Sequence, residues 1–366
     1  MDIAHLRLHN QQIANPRLET PGELVAHLGA VQAQDYAGAK WAIGLRLPNA
    51  TGADVEQAIA ERTIVRTWPM RRTLHFVPAA DVRWMLALTA FRADAGFAPR
   101  YRQLELDERT LAAAGEVLGR ALSGGKSISR PALYKVLRHD GIDTSGGPVR
   151  PGAPPQSAQA RGLHILGHHA QKGLICYGVH EGKQPSFVLL DEWVPKSRAL
   201  NRDESLAELA KRYFTSHGPA TLHDFTWWSG LTVRDAKLGI ELTGDAVVQE
   251  LIDGHTYWLA REKTPARHQS PTAYLLPPWD EYTVAYKDRS AVVAPEHAGL
   301  ASSGGVFRPI IVVDGRVVGT WKSSVVKGAL VVTPMPFGKL NKAAQRGFAG
   351  AAGRHAKFLG TPLSVD

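Results

Sequence analysis

A threonine followed three residues later by glutamate or aspartate recurs along this chain ahead of short amphipathic stretches, and that recurrence limits the fold more than any other feature. Thr20-Pro21-Gly22-Glu23 has the form of a capping box with proline at the first helical position: the threonine oxygen can take the Glu23 amide while the carboxylate reaches back. Leu24, Val25, Leu28 and Val31 follow at helical spacing, which predicts one buried stripe. Thr51-Gly52-Ala53-Asp54 repeats the signal, and Ile64 to Val77 then reads as two strands and a turn. From about Asp81 come amphipathic helices. Ser129 is placed to cap RPALYKVLRHDG, Ser157 to cap AQARGLHILGHHAQK up to Gly173, and LICYGV and SFVLL then flank the polar turn HEGKQP. Further on, Thr221 to Asp224 and Thr232 to Asp235 stand either side of WWSGL, where Gly230 suits a tight turn, and VVQELI and HTYWLA flank the hairpin dipeptide Asp253-Gly254. Short helices followed by a strand pair, three times in order, predict a tandem array of winged helices rather than isolated helix pairs.

From about Ala273 the pattern turns to strands: AYLLP, TVAYK, IIVVDGRVVGTWK and ALVVTPMPF, closed by KLNKAAQRGFAGAAGRHAKFLG. The expectation is a small β-barrel with a final helix. The fold class is therefore α+β, with winged-helix segments over residues 1–80, 81–200 and 201–270 and the barrel over 271–366. GIDTSGGPVRPGAPPQ is too rich in Gly and Pro for regular structure and reads as an exposed loop.

Lys plus Arg number 43 against 34 Asp plus Glu in 366 residues, and the formal charge of +9 favours a polyanionic partner such as nucleic acid. Cys176 is the single cysteine, so neither a disulfide framework nor a thiolate zinc site is expected, and a reducing cytoplasm fits. MDIAHLRLHNQQ lacks the apolar centre of a signal peptide, and no run reaches the roughly 18 apolar residues of a membrane span. Gly124-Gly125-Lys126-Ser127 resembles the end of a phosphate loop, but Arg120 stands where its first glycine belongs. His164, His168 and His169 share one helix without an acidic or thiol ligand nearby, so no metal is expected.

Polar residues interrupt the end of the first apolar helix at Val31-Gln32-Ala33-Gln34-Asp35. If the helix continues, Asp35 falls on the buried stripe and needs a partner or a cavity; if it ends near Gln34, these residues cap or turn. The motifs VQAQDYAGAKWAIGLR, TWPMRRTLHFV, LLPPWDEYTVAYKDR and GVFRPIIVVDGRVVGTWK, in that order, resemble the bacterial winged-helix DNA glycosylases of the AlkZ and YcaQ type. The resemblance runs from the first helix to the last strands. It implies tandem winged helices and a barrel in a C-shaped body, and excision of N-alkylated purines, including crosslinked ones. In the AlkZ-like branch a glutamine, an aliphatic residue and a second glutamine line the catalytic cleft, and Gln32-Ala33-Gln34 matches it, whereas the YcaQ-like branch has aspartate at the place of Gln34. Arg72 is a departure, standing where glycine is expected before TLH.

The chemistry implied is simple. Alkylation at N7 of guanine or N3 of adenine leaves the base cationic, so it departs with little help from a general acid. What remains is to place a water and to stabilise an oxocarbenium-like sugar, for which the carbonyl dipoles of Gln32 and Gln34 are suited. Asp35, Asp280 and Glu281 are candidates to support the site, although in an extended segment Asp280 and Glu281 would point to opposite faces. Arg71, Arg72 and His75 on the first wing, and Lys287, Arg289, Arg308 and Lys322 among the later strands, are candidate phosphate contacts. The expected partner is duplex DNA carrying alkylated bases, met by a monomer in the cytoplasm near the nucleoid, with no cofactor and no membrane. Two other readings stay open: a winged-helix transcription regulator, for which Gln159, Arg161 and His164 would be the readers, and a lesion binder without catalysis.

Overall fold

The computed structural model describes residues 1–146, 160–182, 184–261 and 272–364. Ser157, Gln159 and most of the Gly- and Pro-rich loop lie outside the described residues. The chain groups into two compact units, Met1–Ala58 with Arg202–Asp366, and Ile59–Asn201.

In the first unit the capping signals form as the spacing requires. Thr20 Oγ1 accepts the Glu23 amide at 3.2 Å and the Thr20 amide donates to Glu23 Oε2 at 3.0 Å, opening the helix Pro21–Leu28. This helix stops at Leu28, not at Gln34, because Gly29 takes a φ of 80° that reverses the chain; Val31–Gln32 is a two-residue strand and Asp35 opens the next helix, Tyr36–Gly44. The expected buried stripe is thus shorter, and Asp35 heads a helix instead of standing on a core face.

The helices Arg202–Ser216, Leu222–Ser229 and Val233–Leu242 precede the antiparallel hairpin Val247–Ile252 and His255–Ala260. Thr221 and Asp224 form a complete box, whereas Asp235 turns its carboxylate to Arg202 at 2.9 Å. At the hairpin tip Asp253 and Gly254 both have positive φ, 49° and 77°, the two-residue geometry whose twist matches the strands. Tyr213, Phe214, Phe225 and Trp228 interlock as the core of these helices.

The closed barrel is not formed by the described residues. Strands Ala329–Pro336, Arg316–Val326, Ile310–Val313 and Ala273–Leu276 make an open antiparallel sheet in that order, next to a small two-stranded ribbon, Ser302–Ser303 with Val306–Phe307. TVAYK, expected as a strand, contributes instead to a one-turn helix, Glu281–Val284. The edges do not meet for two reasons: one edge strand is only four residues long, and the other carries Pro334 and Pro336, which have no amide to donate. The final helix Lys342–Leu359 packs on the sheet through Gly347, where a Cβ would come within 2.9 Å of the Ala273 Cβ.

The second unit joins strands Thr73–Pro78, Ile64–Met70, Ile175–Tyr177, Ser186–Leu189 and Ile128–Ser129 in that order, each antiparallel to the next. The amphipathic helices Glu108–Leu122, Arg130–His139 and Ala160–Gln171 supply Leu118, Leu133, Leu137, Ile165 and Leu166 to its core. Arg71 and Arg72 form the turn between the first two strands with φ of 50° and 60°, a left-handed conformation that glycine adopts without strain.

Burial pulls the imidazoles of His169 and His355 from the ordinary 6.5 down to about 4. Well above pH 6.5 both are neutral in the folded and unfolded chain. As pH falls from 6.5 towards 4 only the unfolded chain takes up these protons, so stability drops across that window. Thermal unfolding measured at pH 7.5, 5.5 and 4.5 should show a falling midpoint, and a H169F/H355F variant that still folds should show a shallower fall.

Candidate active site

After the edge strand Ala273–Leu276, Pro277 and Pro278 have no amide with which to continue the pairing, and Trp279 follows with a positive φ of 56°. Two indole N–H groups hold the end of the strand: Trp41 Nε1 donates to Leu275 O at 2.7 Å and Trp321 Nε1 to Leu276 O at 2.9 Å. Asp280 caps the helix Glu281–Val284, taking the Tyr282 amide at 2.9 Å. The two carboxylates therefore sit at a helix start, not on alternate faces of a strand, and both are buried.

Their partners differ. Asp280 receives both terminal nitrogens of Arg46, each at 2.8 Å, and Arg46 also donates to Ala42 O, Gln11 O and Gln11 Oε1. Gln11 in turn donates to Tyr286 Oη at 2.9 Å. Glu281, 0% exposed, takes the backbone N–H of Gln32 on Oε1 at 2.8 Å and the indole N–H of Trp228 on Oε2 at 2.9 Å. His217 Nε2 stands 3.5 Å from the same Oε2, and burial holds this imidazole below its ordinary pKa, which favours its neutral form.

Gln32 is 6% exposed and the following Ala33 fully buried, whereas Gln34 is exposed. Asp35 is half-buried and its side chain makes no capping bond. Its Oδ2 would lie 2.7 Å from a Cβ at position 38, and Pro277 Cβ 3.4 Å, so Gly38 is what lets the start of this helix close on the Pro277 segment. The fold thus brings Gln32 directly to Glu281 and sets Asp280 apart with Arg46.

Among the later cations, Lys287 is exposed and Arg289 half-buried, and both lie over Trp227, at 5.9 and 5.6 Å from the ring centre. Trp227 is 39% exposed and donates to Val284 O at 3.0 Å. Arg289 also lies 4.7 Å from the Phe307 ring centre and donates to Thr283 O, which ties its guanidinium down. Arg308 and Lys322 are exposed on the strand region. In the second unit Arg72 is exposed and Arg71 half-buried. His75 is not an available phosphate contact: it is 0% exposed, with Nδ1 3.0 Å from Thr73 O and Nε2 3.3 Å from the Arg71 guanidinium. No group of three or more potential metal ligands occurs among the described residues, and no helix there is long and apolar enough to cross a membrane.

A family model described as DNA glycosylase AlkZ-like matches residues 25–358. The chain belongs to that family. A Streptomyces sahachiroi protein described as an interstrand DNA cross-link repair glycosylase is 27% identical over 353 residues, spanning 89% of this chain and 88% of its own. The solved structure of the Streptomyces sahachiroi DNA glycosylase AlkZ has the same fold, with a TM-score of 0.79 at 24% identity over 100% of this chain and 98% of that one. The enzyme class is thus DNA glycosylase, carried by a mixed helix and sheet fold.

For this AlkZ-like chain, sequence reasoning missed Arg46, His217, Trp227 and Trp228. A signal for the tryptophans was present: adjacent residues on a helix are about 100° apart, so in Leu222–Ser229 one ring faces the core while its neighbour reaches the surface. Arg46 and His217 left no comparable trace, because their partners lie 234 and 64 residues away, at Asp280 and Glu281.

Proposed function

We propose that the protein hydrolyses the N-glycosidic bond of N-alkylated purines in duplex DNA, N7-alkylguanine and N3-alkyladenine, with Gln32 and Gln34 placing the attacking water. The supporting observation is the glutamine segment itself, anchored at the Gln32 amide by a buried carboxylate and exposed at Gln34, in an AlkZ-like chain. A neutral amide is a poor proton acceptor, so such a site suits labile cationic bases and discriminates against normal ones. The crosslink activity in the name of the Streptomyces sahachiroi relative extends the reading to interstrand adducts. A crosslinked base cannot be fully extruded, so it would be cleaved without complete flipping. The reaction needs no metal or organic cofactor, and the enzyme acts as a monomer on nucleoid DNA in the cytoplasm.

The test is incubation with duplexes carrying one N7-methylguanine or one nitrogen-mustard crosslink, scoring free base and abasic sites. Release is expected from at least one substrate; none from either overturns the reading. Lys287, Arg308 and Lys322 are the exposed cations of this unit assigned to phosphates. Replacing each by alanine should weaken duplex binding and lower the slope of log K against log salt by about 0.9. Unchanged slopes would remove these residues from the DNA interface.

A further inference from the structure

We infer that Glu281 is the positioning residue of the excision site, its carboxylate clamping the glutamine segment to the Leu222–Ser229 helix. The inference rests on the assignment of Gln32 and Gln34 above. One oxygen holds the Gln32 amide at 2.8 Å and the other the Trp228 indole at 2.9 Å, so a single side chain ties residues from three distant stretches of sequence. Gln32 belongs to a two-residue strand, too short to locate a side chain through ladder bonds alone. The Glu281 oxygen supplies that amide with a buried side-chain acceptor at 2.8 Å. The Gln32 side chain begins one bond beyond the anchored amide nitrogen, at its Cα, so the clamp limits where its carboxamide can reach.

The rest of the surroundings serve the clamp. Glu281 heads the helix Glu281–Val284, whose cap Asp280 is fixed by Arg46, so the carboxylate starts from a rigid backbone. Trp228 packs against Tyr213 and His217 at ring distances of 4.9 and 5.5 Å, with its N–H on Glu281. The partners of the two Glu281 oxygens are the Gln32 amide and the Trp228 indole, which is the arrangement of a positioning residue. Burying a carboxylate is unfavourable unless its oxygens are satisfied, and here the donors that satisfy it include the segment that carries the proposed chemistry.

The experiment is single-turnover excision of N7-methylguanine from a duplex at saturating enzyme, run beside duplex affinity and amide hydrogen exchange. E281A should lower the excision rate constant about 100-fold, the effect of an ångström-scale misplacement, with affinity nearly unchanged. The Gln32 amide should exchange faster while amides of the Lys342–Leu359 helix keep their protection. E281Q keeps an oxygen for Gln32 but turns an NH2 group towards the Trp228 N–H. Adding W228F removes that conflict, so E281Q/W228F should excise faster than E281Q. An E281A rate within threefold of the parent overturns the inference, and so does a slow E281A in which all amides lose protection together and W228F gives no rescue of E281Q. Q32A/Q34A is assayed in parallel: if it excises normally, the glutamine assignment fails and this inference with it; if it is inactive while E281A is normal, only the role of Glu281 fails.

Discussion

Replacing both Gln32 and Gln34 by alanine should abolish release of alkylated bases while duplex binding survives. Removing one positioned polar group from a transition-state site costs about 100- to 1,000-fold in rate, so losing both should take excision to the background depurination of the lesion. The design is clean because alanine keeps the Gln32 amide, so the bond to Glu281 at 2.8 Å persists and the segment stays anchored. Gln34 is exposed, where truncation changes stability by roughly 0.5 kcal/mol or less. Single-turnover rates with N7-methylguanine and electrophoretic binding of the same duplex separate chemistry from affinity. A double variant that still releases base near the parental rate would move the catalytic groups elsewhere in the fold.

The largest stability effect should come from Arg46→Met. Arg46 and Asp280 are both 0% exposed at the side chain and joined by two bonds of 2.8 Å, so the substitution strands a carboxylate in the interior. Breaking one side of such a pair costs about 3–5 kcal/mol, whereas replacing both partners with apolar residues of similar volume is often close to neutral. In a unit of this size that corresponds to a loss on the order of 10 °C in the unfolding midpoint. Asp280→Leu added to R46M should recover part of the loss. Because Asp280 also caps the helix that begins at Glu281, the recovery should be incomplete. A midpoint for R46M within 2 °C of the parent would mean that the pair does not organise this interior.

What was legible in the sequence divides along the range of the interactions concerned. The Thr20 and Thr221 boxes, the reversal at Gly230 and the Asp253-Gly254 turn were all readable, because each is settled by residues within four positions of one another. The glutamine segment was readable only by resemblance; periodicity alone left open whether the helix ran through it, and the positive φ of Gly29 ended that helix at Leu28, ahead of the segment. His75 looked available because alternation along a strand does not reveal what covers a hairpin, and here the side chain is fully buried, with Thr73 O and the Arg71 guanidinium beside its ring. The barrel failed for the same kind of reason. Strand content was visible, but closure depends on whether two edges meet, and a four-residue strand with a proline-bearing partner edge leaves them apart.

By itself the sequence determined the local grammar of this protein: where the capped helices start and which turns reverse. Only the tertiary structure decided that Glu281 holds Gln32 and Trp228 while its neighbour Asp280 belongs to Arg46. The physical reason is that a buried carboxylate is tolerated only where donors converge on it, and the distant donors here are Gln32, Arg46 and Trp228, brought together by packing of the core and by no pattern along the chain.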